Sequence, residues 1–233
     1  MFGNNSGNNF GNNNEMATSA SFTPTFFGKV MAFFALAVFS SAVGVYVTMH
    51  YFMQYFYQMP QLVWILFVVE LAIILTSRMW SQRSPLNRIM FVLFTFITGV
   101  TIAPLITVLL TSAAGAAILT KALIATGFMF TATALIGWTT KYDLSGLRGF
   151  LMMGLIGMII VGIVGIFLPW GNSMEIVYSG IGILLFAGFT MYDIQKIKRY
   201  PENMYVEAAL NLYLDIFNLF LYILRLIMAI SRR

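Results

Sequence analysis

From Lys29 onward the chain alternates long uncharged apolar runs with short clusters of Lys and Arg. Positions 30–69 carry no formal charge over 40 residues, enough for two crossings of about 20 residues each. Within that run His50, Gln54, Gln58, Pro60 and Gln61 mark a turn. Tyr51, Phe52, Tyr55, Phe56 and Tyr57 around it suit an interfacial aromatic belt. The pattern predicts helices over about 30–49 and about 61–78. Between Arg88 and Lys121 lie 32 uncharged residues, predicting a third helix over about 89–110, kinked at Pro104, and a short turn at 111–115. Further helices are predicted over about 116–138, 150–170, 177–192 and 208–230.

Composition fixes the solvent of these helices. The 233 residues are 60% hydrophobic and 9% charged, with a mean hydropathy of +0.85. A soluble domain is roughly 25% charged, so a water-soluble enzyme or a nucleic-acid-binding domain is excluded. The fold expected is all-α, a polytopic membrane protein built as a seven-transmembrane-helix bundle. The net charge of +5 sits in connectors and reports orientation, not a nucleic-acid footprint. With no Cys, disulfides, thiolate metal sites and Cys nucleophiles are excluded. Residues 1–14 hold seven Asn and three Gly, too little apolar surface to offset ordering, so 1–25 reads as a disordered tail and 26–233 as the membrane domain. No Lys or Arg precedes Lys29 and no short apolar core ends at a small-residue cleavage site, so the first span is expected to be retained.

Placing the N-terminus in the cytoplasm gathers Lys29, Arg78, Arg83, Arg88, Lys141, Arg148, Lys196, Lys198 and Arg199 on that side. A seventh crossing then puts Arg232 and Arg233 outside. Either the upstream asymmetry overrides these two charges or the last helix re-enters; seven crossings is the preferred reading. Lys121, just inside the fourth helix, is expected to snorkel outward.

A carboxylate at mid-bilayer costs several kcal/mol, so it usually faces the bundle interior with a partner. Asp215 is the clearest case: Asn211, Asp215 and Asn218 recur at spacings of four and three and share one face of an otherwise apolar helix. Such a stripe lines an ion path or bonds neighbouring helices. Asp193 closes the apolar run before Gln195, Lys196 and Lys198. The sixth and seventh helices form an antiparallel hairpin, and the two Asp residues lie level only for a turn centred near Met204. The turn signal at Tyr200-Pro201-Glu202-Asn203 leaves a mismatch of about five residues, or about 7.5 Å. A connector extending to about Glu207 would close it, and two facing carboxyls would then share a proton and sense pH. Glu70 sits mid-span in the second helix as a candidate pathway residue. Arg78, near the end of that helix, either snorkels or pairs with Asp193 or Asp215. Arg225 is either paired or snorkelling, and His50 is structural. Enzyme chemistry is not expected: no Gly-x-Gly-Asp companion suits an intramembrane aspartyl protease, no Gly-x-Ser-x-Gly motif occurs, and 202–233 contain no Lys for a Schiff base.

The segments Phe186-Ala-Gly-Phe-Thr-Met-Tyr-Asp-Ile-Gln-Lys and Ala208-Ala-Leu-Asn-Leu-Tyr-Leu-Asp-Ile-Phe-Asn-Leu-Phe-Leu resemble the Bax inhibitor-1 (transmembrane Bax inhibitor motif) family. Gly137-Trp-Thr-Thr-Lys-Tyr-Asp-Leu-Ser-Gly and Thr95-Phe-Ile-Thr-Gly-Val-Thr extend the likeness, in the style of its bacterial inner-membrane branch. The resemblance implies a seven-helix bundle around a central C-terminal helix and a pH-sensitive calcium leak in a bacterial cytoplasmic membrane. It implies that Asp193 and Asp215 form a proton-sharing pair acting as pH sensor and gate, with weak calcium affinity. It also implies an Arg that latches onto the pair, for which Arg78 is preferred with Arg83 close by, and a deeper carboxylate that Glu70 matches. Glu70, Asn211 and Asn218 are the expected ion pathway. No cofactor is expected; calcium and protons are the expected cargo and the lipid bilayer the expected partner. The alternative is a non-conducting interaction protein that modulates a membrane protease or a cell-death or stress pathway through a membrane protein partner.

Overall fold

A computed structural model describes residues 24–232; apart from its last two positions, the tail expected over 1–25 lies outside the described residues. Every regular element among the described residues is helical. The first rod is α1 (Pro24–Val47), which passes through a π turn at Thr48–Phe52 into α2 (Met53–Gln58). The turn expected across 50–61 therefore shrinks to its last residues. His50 and Gln54 do not stop a helix whose backbone groups are satisfied internally, whereas Pro60 has no N–H to continue one. His50 instead lies against the Tyr46 ring, tilted by 33° at 4.1 Å between ring centres.

The helix expected over 61–78 is divided into α3 (Leu62–Leu75) and α4 (Ser77–Trp80). At the break, the Thr76 hydroxyl donates back to the Ala72 carbonyl at 2.7 Å, a local bond that competes with continuation. The Trp80 indole N–H donates to the Ile73 carbonyl at 3.2 Å and holds the two pieces together. Then follow α5 (Leu86–Thr111), α6 (Gly115–Thr139), α7 (Leu147–Phe167), α8 (Asn172–Ile197) and α9 (Tyr205–Ser231). Pro104 lies inside α5 without ending it.

Six segments among the described residues are long and apolar enough to cross a membrane: Phe26–Gln58, α5, α6, Leu144–Phe167, α8 and Glu202–Ser231. The segment α3 is apolar but shorter, at 14 residues. Side-chain placement agrees with a lipid solvent. Leu75, Phe128 and Phe167 are 75–80% exposed, while Thr48, Thr95, Ser179 and Thr190 are completely buried. In water that much outward apolar surface would drive association; against lipid tails it is matched. The chain is a multi-pass membrane protein whose described residues are built from helices.

Small residues set the closest approaches. A Cβ on Gly99 of α5 would fall 2.8 Å from the Ser41 carbonyl carbon of α1, and one on Gly44 of α1 would fall 3.1 Å from the Val100 backbone nitrogen. This is the small-residue packing that brings backbones together in a membrane. The C-terminal helix α9 packs against α8, α6, α1 and α5, and α7 packs on α8. With Leu212, Tyr213, Leu219 and Leu224 buried and polar groups on another face, α9 is the most amphipathic of the long helices and has neighbours on several sides.

Candidate functional site

The site is built where α8 and α9 converge near their connector. Asp193 stands four residues before the end of α8 and Asp215 ten residues into α9. Both are buried, at 7% and 4% exposure, and their carboxyl groups meet within hydrogen-bonding reach. A bond between two carboxyls needs a proton on one of them. The second Asp215 oxygen, Oδ2, is buried without a hydrogen-bond partner among the described residues.

The residues meet although α9 begins at Tyr205 and the connector does not reach Glu207. Side chains on an α-helix lean toward its N-terminus. On the descending α8 that lean carries the Asp193 carboxyl away from the connector, and on the returning α9 it carries the Asp215 carboxyl toward it. The two groups lean together across the level gap that backbone counting leaves open.

Three charged groups act on Asp193 from its surroundings: Lys196 one turn later on α8, Arg148 at the start of α7, and Glu207 at the start of α9. In the connector, the Asn211 amide donates to the Tyr200 hydroxyl at 3.2 Å. Burial, then the negative charges of Asp193 and Glu207, push the Tyr200 phenol well up, so it stays protonated. Asn218 donates at 2.8 Å to the Leu214 carbonyl of its own helix. Of the predicted α9 stripe, Asp215 reaches the other carboxyl, Asn211 reaches the connector, and Asn218 turns back on α9.

Arg78 is not brought to the pair. It is exposed on α4, which packs on α3 and α5, whereas the pair lies between α8 and α9. Among the described residues the ion pairs are Arg199 with Asp143 and Arg225 with Glu175. The expected latch contact is thus not made in this arrangement. Glu70 is half-buried on α3 and accepts a 2.5 Å hydrogen bond from Thr101 of α5. It shares that side of the bundle with Tyr213, whose hydroxyl is bonded to Thr98 and Ser41.

Among the described residues no group of three or more His, Asp or Glu converges as a metal cage. Calcium takes six to eight oxygen ligands, and the pair with its neighbouring amides is too sparse to retain it.

Two polar contacts lie outside the predicted site. Gln195 clasps the α6–α7 connector: its amide oxygen accepts from Leu144 N–H at 2.8 Å and its amide nitrogen donates to the Tyr142 carbonyl at 2.8 Å. Its place two residues after Asp193 was the available signal. At the opposite end of the hairpin, Arg225 donates to Glu175 through Nε at 2.6 Å and Nη2 at 3.0 Å. Arg225 is therefore paired, with a partner 50 residues away that no local pattern marks.

A family model described as inhibitor of apoptosis-promoting Bax1 matches residues 23–233. An uncharacterized protein of Campylobacter jejuni is 28% identical over 93% of this chain and 93% of its own length. The inner membrane protein YbhL of Escherichia coli is 32% identical over 68% of this chain and 70% of its own. Bax inhibitor 1 of Schizosaccharomyces pombe is 29% identical over 69% of this chain and 59% of its own.

Proposed function

Because the chain belongs to the Bax inhibitor-1 family, we propose that it is a pH-sensitive calcium leak in a bacterial cytoplasmic membrane, gated where α8 meets α9. The observation that carries this reading is the buried contact between Asp193 and Asp215. A proton shared there holds the helices together at that level. Its loss leaves two carboxylates facing each other out of water, which biases the hairpin toward a separated packing. Lys196 and Arg148 are the cations placed to offset that charge, and Glu207 adds to it. The same carboxylates give a dehydrating cation a foothold without a cage.

Counting 62–80 as one broken crossing of 19 residues, about 28 Å long, makes seven spans. With the N-terminus in the cytoplasm, nine Lys and Arg lie at that face together with the Asp pair. The E. coli relative named as an inner membrane protein supports the same compartment.

The test is calcium flux into proteoliposomes between about pH 5 and pH 8, wild type beside Asp215→Asn. The expected result is a flux that varies with pH in the wild type and a flat profile in the variant. A normal pH profile in Asp215→Asn removes the sensor role. No flux above empty liposomes from folded protein removes the leak and leaves a non-conducting interaction protein.

A further inference from the structure

The end of the hairpin remote from the Asp pair holds a pocket of about 610 Å3, walled by Trp170, Asn172, Ser173, Glu175, Arg225 and Arg232. Its one carboxylate is already engaged. Both Glu175 oxygens are engaged, one by Arg225 Nε and the other by Arg225 Nη2 and by the Trp170 indole N–H at 2.7 Å. The Asn172 amide donates to the Ala229 carbonyl at 3.0 Å. Donors are left over. A guanidinium carries five N–H groups and Arg225 commits two to Glu175. Arg232 enters no ion pair among the described residues. Among the described residues, two arginines against one carboxylate leave the pocket with a surplus positive charge.

The walls are also fixed in place. The Trp170 ring is seated on Gly165, where a Cβ would come within 2.8 Å of ring carbons. The Arg225 guanidinium lies over the Tyr178 ring at 4.9 Å, and the Tyr178 hydroxyl donates to the Met158 carbonyl at 2.9 Å. A preformed cleft with surplus guanidinium donors and its carboxylate already engaged recognises an anion with several oxygens. Phe167 and Leu168, 77% and 68% exposed at the end of the apolar span, present apolar surface beside it, the surroundings a phospholipid headgroup has.

We propose that this pocket binds a phosphate group, carried by a lipid headgroup or free in solution, through Arg225 and Arg232. The proposal is independent of any calcium flux, since it rests on a different end of the molecule. The phosphate oxygens take the unused Arg225 donors and the Arg232 fork, and the exposed Ser173 lines the same pocket.

The experiment is isothermal titration calorimetry on the full chain in a neutral maltoside detergent. Three titrants are used: short-chain phosphatidylglycerol, inorganic phosphate, and short-chain diacylglycerol without phosphate. Saturable binding of phosphatidylglycerol alone supports a lipid-borne phosphate; binding of inorganic phosphate as well supports a site for the free anion. In either case Arg232→Gln weakens affinity about tenfold, as loss of one charge-assisted contact does. Ser173→Asp, a change at an exposed position that adds a carboxylate to the pocket lining, weakens it at least as much and carries the test if Arg232→Gln misfolds. No binding of either phosphate titrant overturns the proposal. So does diacylglycerol binding as tightly as phosphatidylglycerol, or an undiminished affinity in the folded variants.

Discussion

Two glycines ten residues apart on α6 give a matched test of how the site is held. A Cβ on Gly137 would meet the backbone of Met191 on α8, at 2.8 Å from its Cα and 3.0 Å from its carbonyl carbon. Ordinary contact begins at 3.4 Å, so α6 and α8 must part by at least about 0.6 Å, and backbone cannot rotate away as a side chain can. A Cβ on Gly127 meets nothing within 4 Å. Gly127→Ala is therefore expected to stabilise by up to about 1 kcal/mol through helix propensity. Gly137→Ala draws on the same gain but forces extra volume into a packed interface, which costs about 1–3 kcal/mol. The two variants should differ by about 1–3 kcal/mol, with Gly137→Ala the weaker. Because Met191 stands two residues before Asp193, the separation also displaces the acidic pair. Reversible unfolding in mixed micelles measures the difference, and the flux profile of Gly137→Ala reads the displacement. Equal stability of the two variants would refute the claim that α6 and α8 meet backbone to backbone.

Gln195→Ala removes two hydrogen bonds to the α6–α7 connector, about 1–3 kcal/mol together. Trypsin should then cut after Lys141 or Arg148 at least about fivefold faster, and an unchanged rate would show that the clasp does not hold the connector. In the same connector, the Ser145 amide, with Arg199 beside it at 3.3 Å, holds the Asp143 carboxyl below the usual carboxylate range. A depressed carboxyl contributes stability above its ordinary value and loses it as pH falls through the depressed one. Ser145 amide protection should hold from neutral pH down to about pH 4 and decline below it, and Asp143→Asn should abolish that acid step. Protection already lost near neutral pH would contradict this sign.

How far the sequence reached depended on whether a feature is local. Long apolar runs and the Lys and Arg clusters marked the spans, because exclusion from lipid acts residue by residue. Breaks caused by uncharged groups were less legible: His50 and Gln54 read as a turn but sit in continuing helix, while Thr76 divides the second span with a hydroxyl that charge counting passes over. The acidic pair shows the limit most clearly. Backbone arithmetic left Asp193 and Asp215 about five residues out of level, yet opposite side-chain leans on antiparallel helices draw them together. Arg78 shows the converse. Proximity in sequence to a helix end says nothing of which neighbour that helix packs against, and α4 packs away from the α8–α9 interface. The cations that do act on Asp193, Lys196 and Arg148, include one from α7, a helix whose packing on α8 only tertiary structure reveals. The same holds for Glu175 and Arg225, which stand near the starts and ends of two helices and become a pair only because α8 and α9 run antiparallel. A polar residue in a membrane helix thus announces that it needs a partner, and helix packing decides which one it gets.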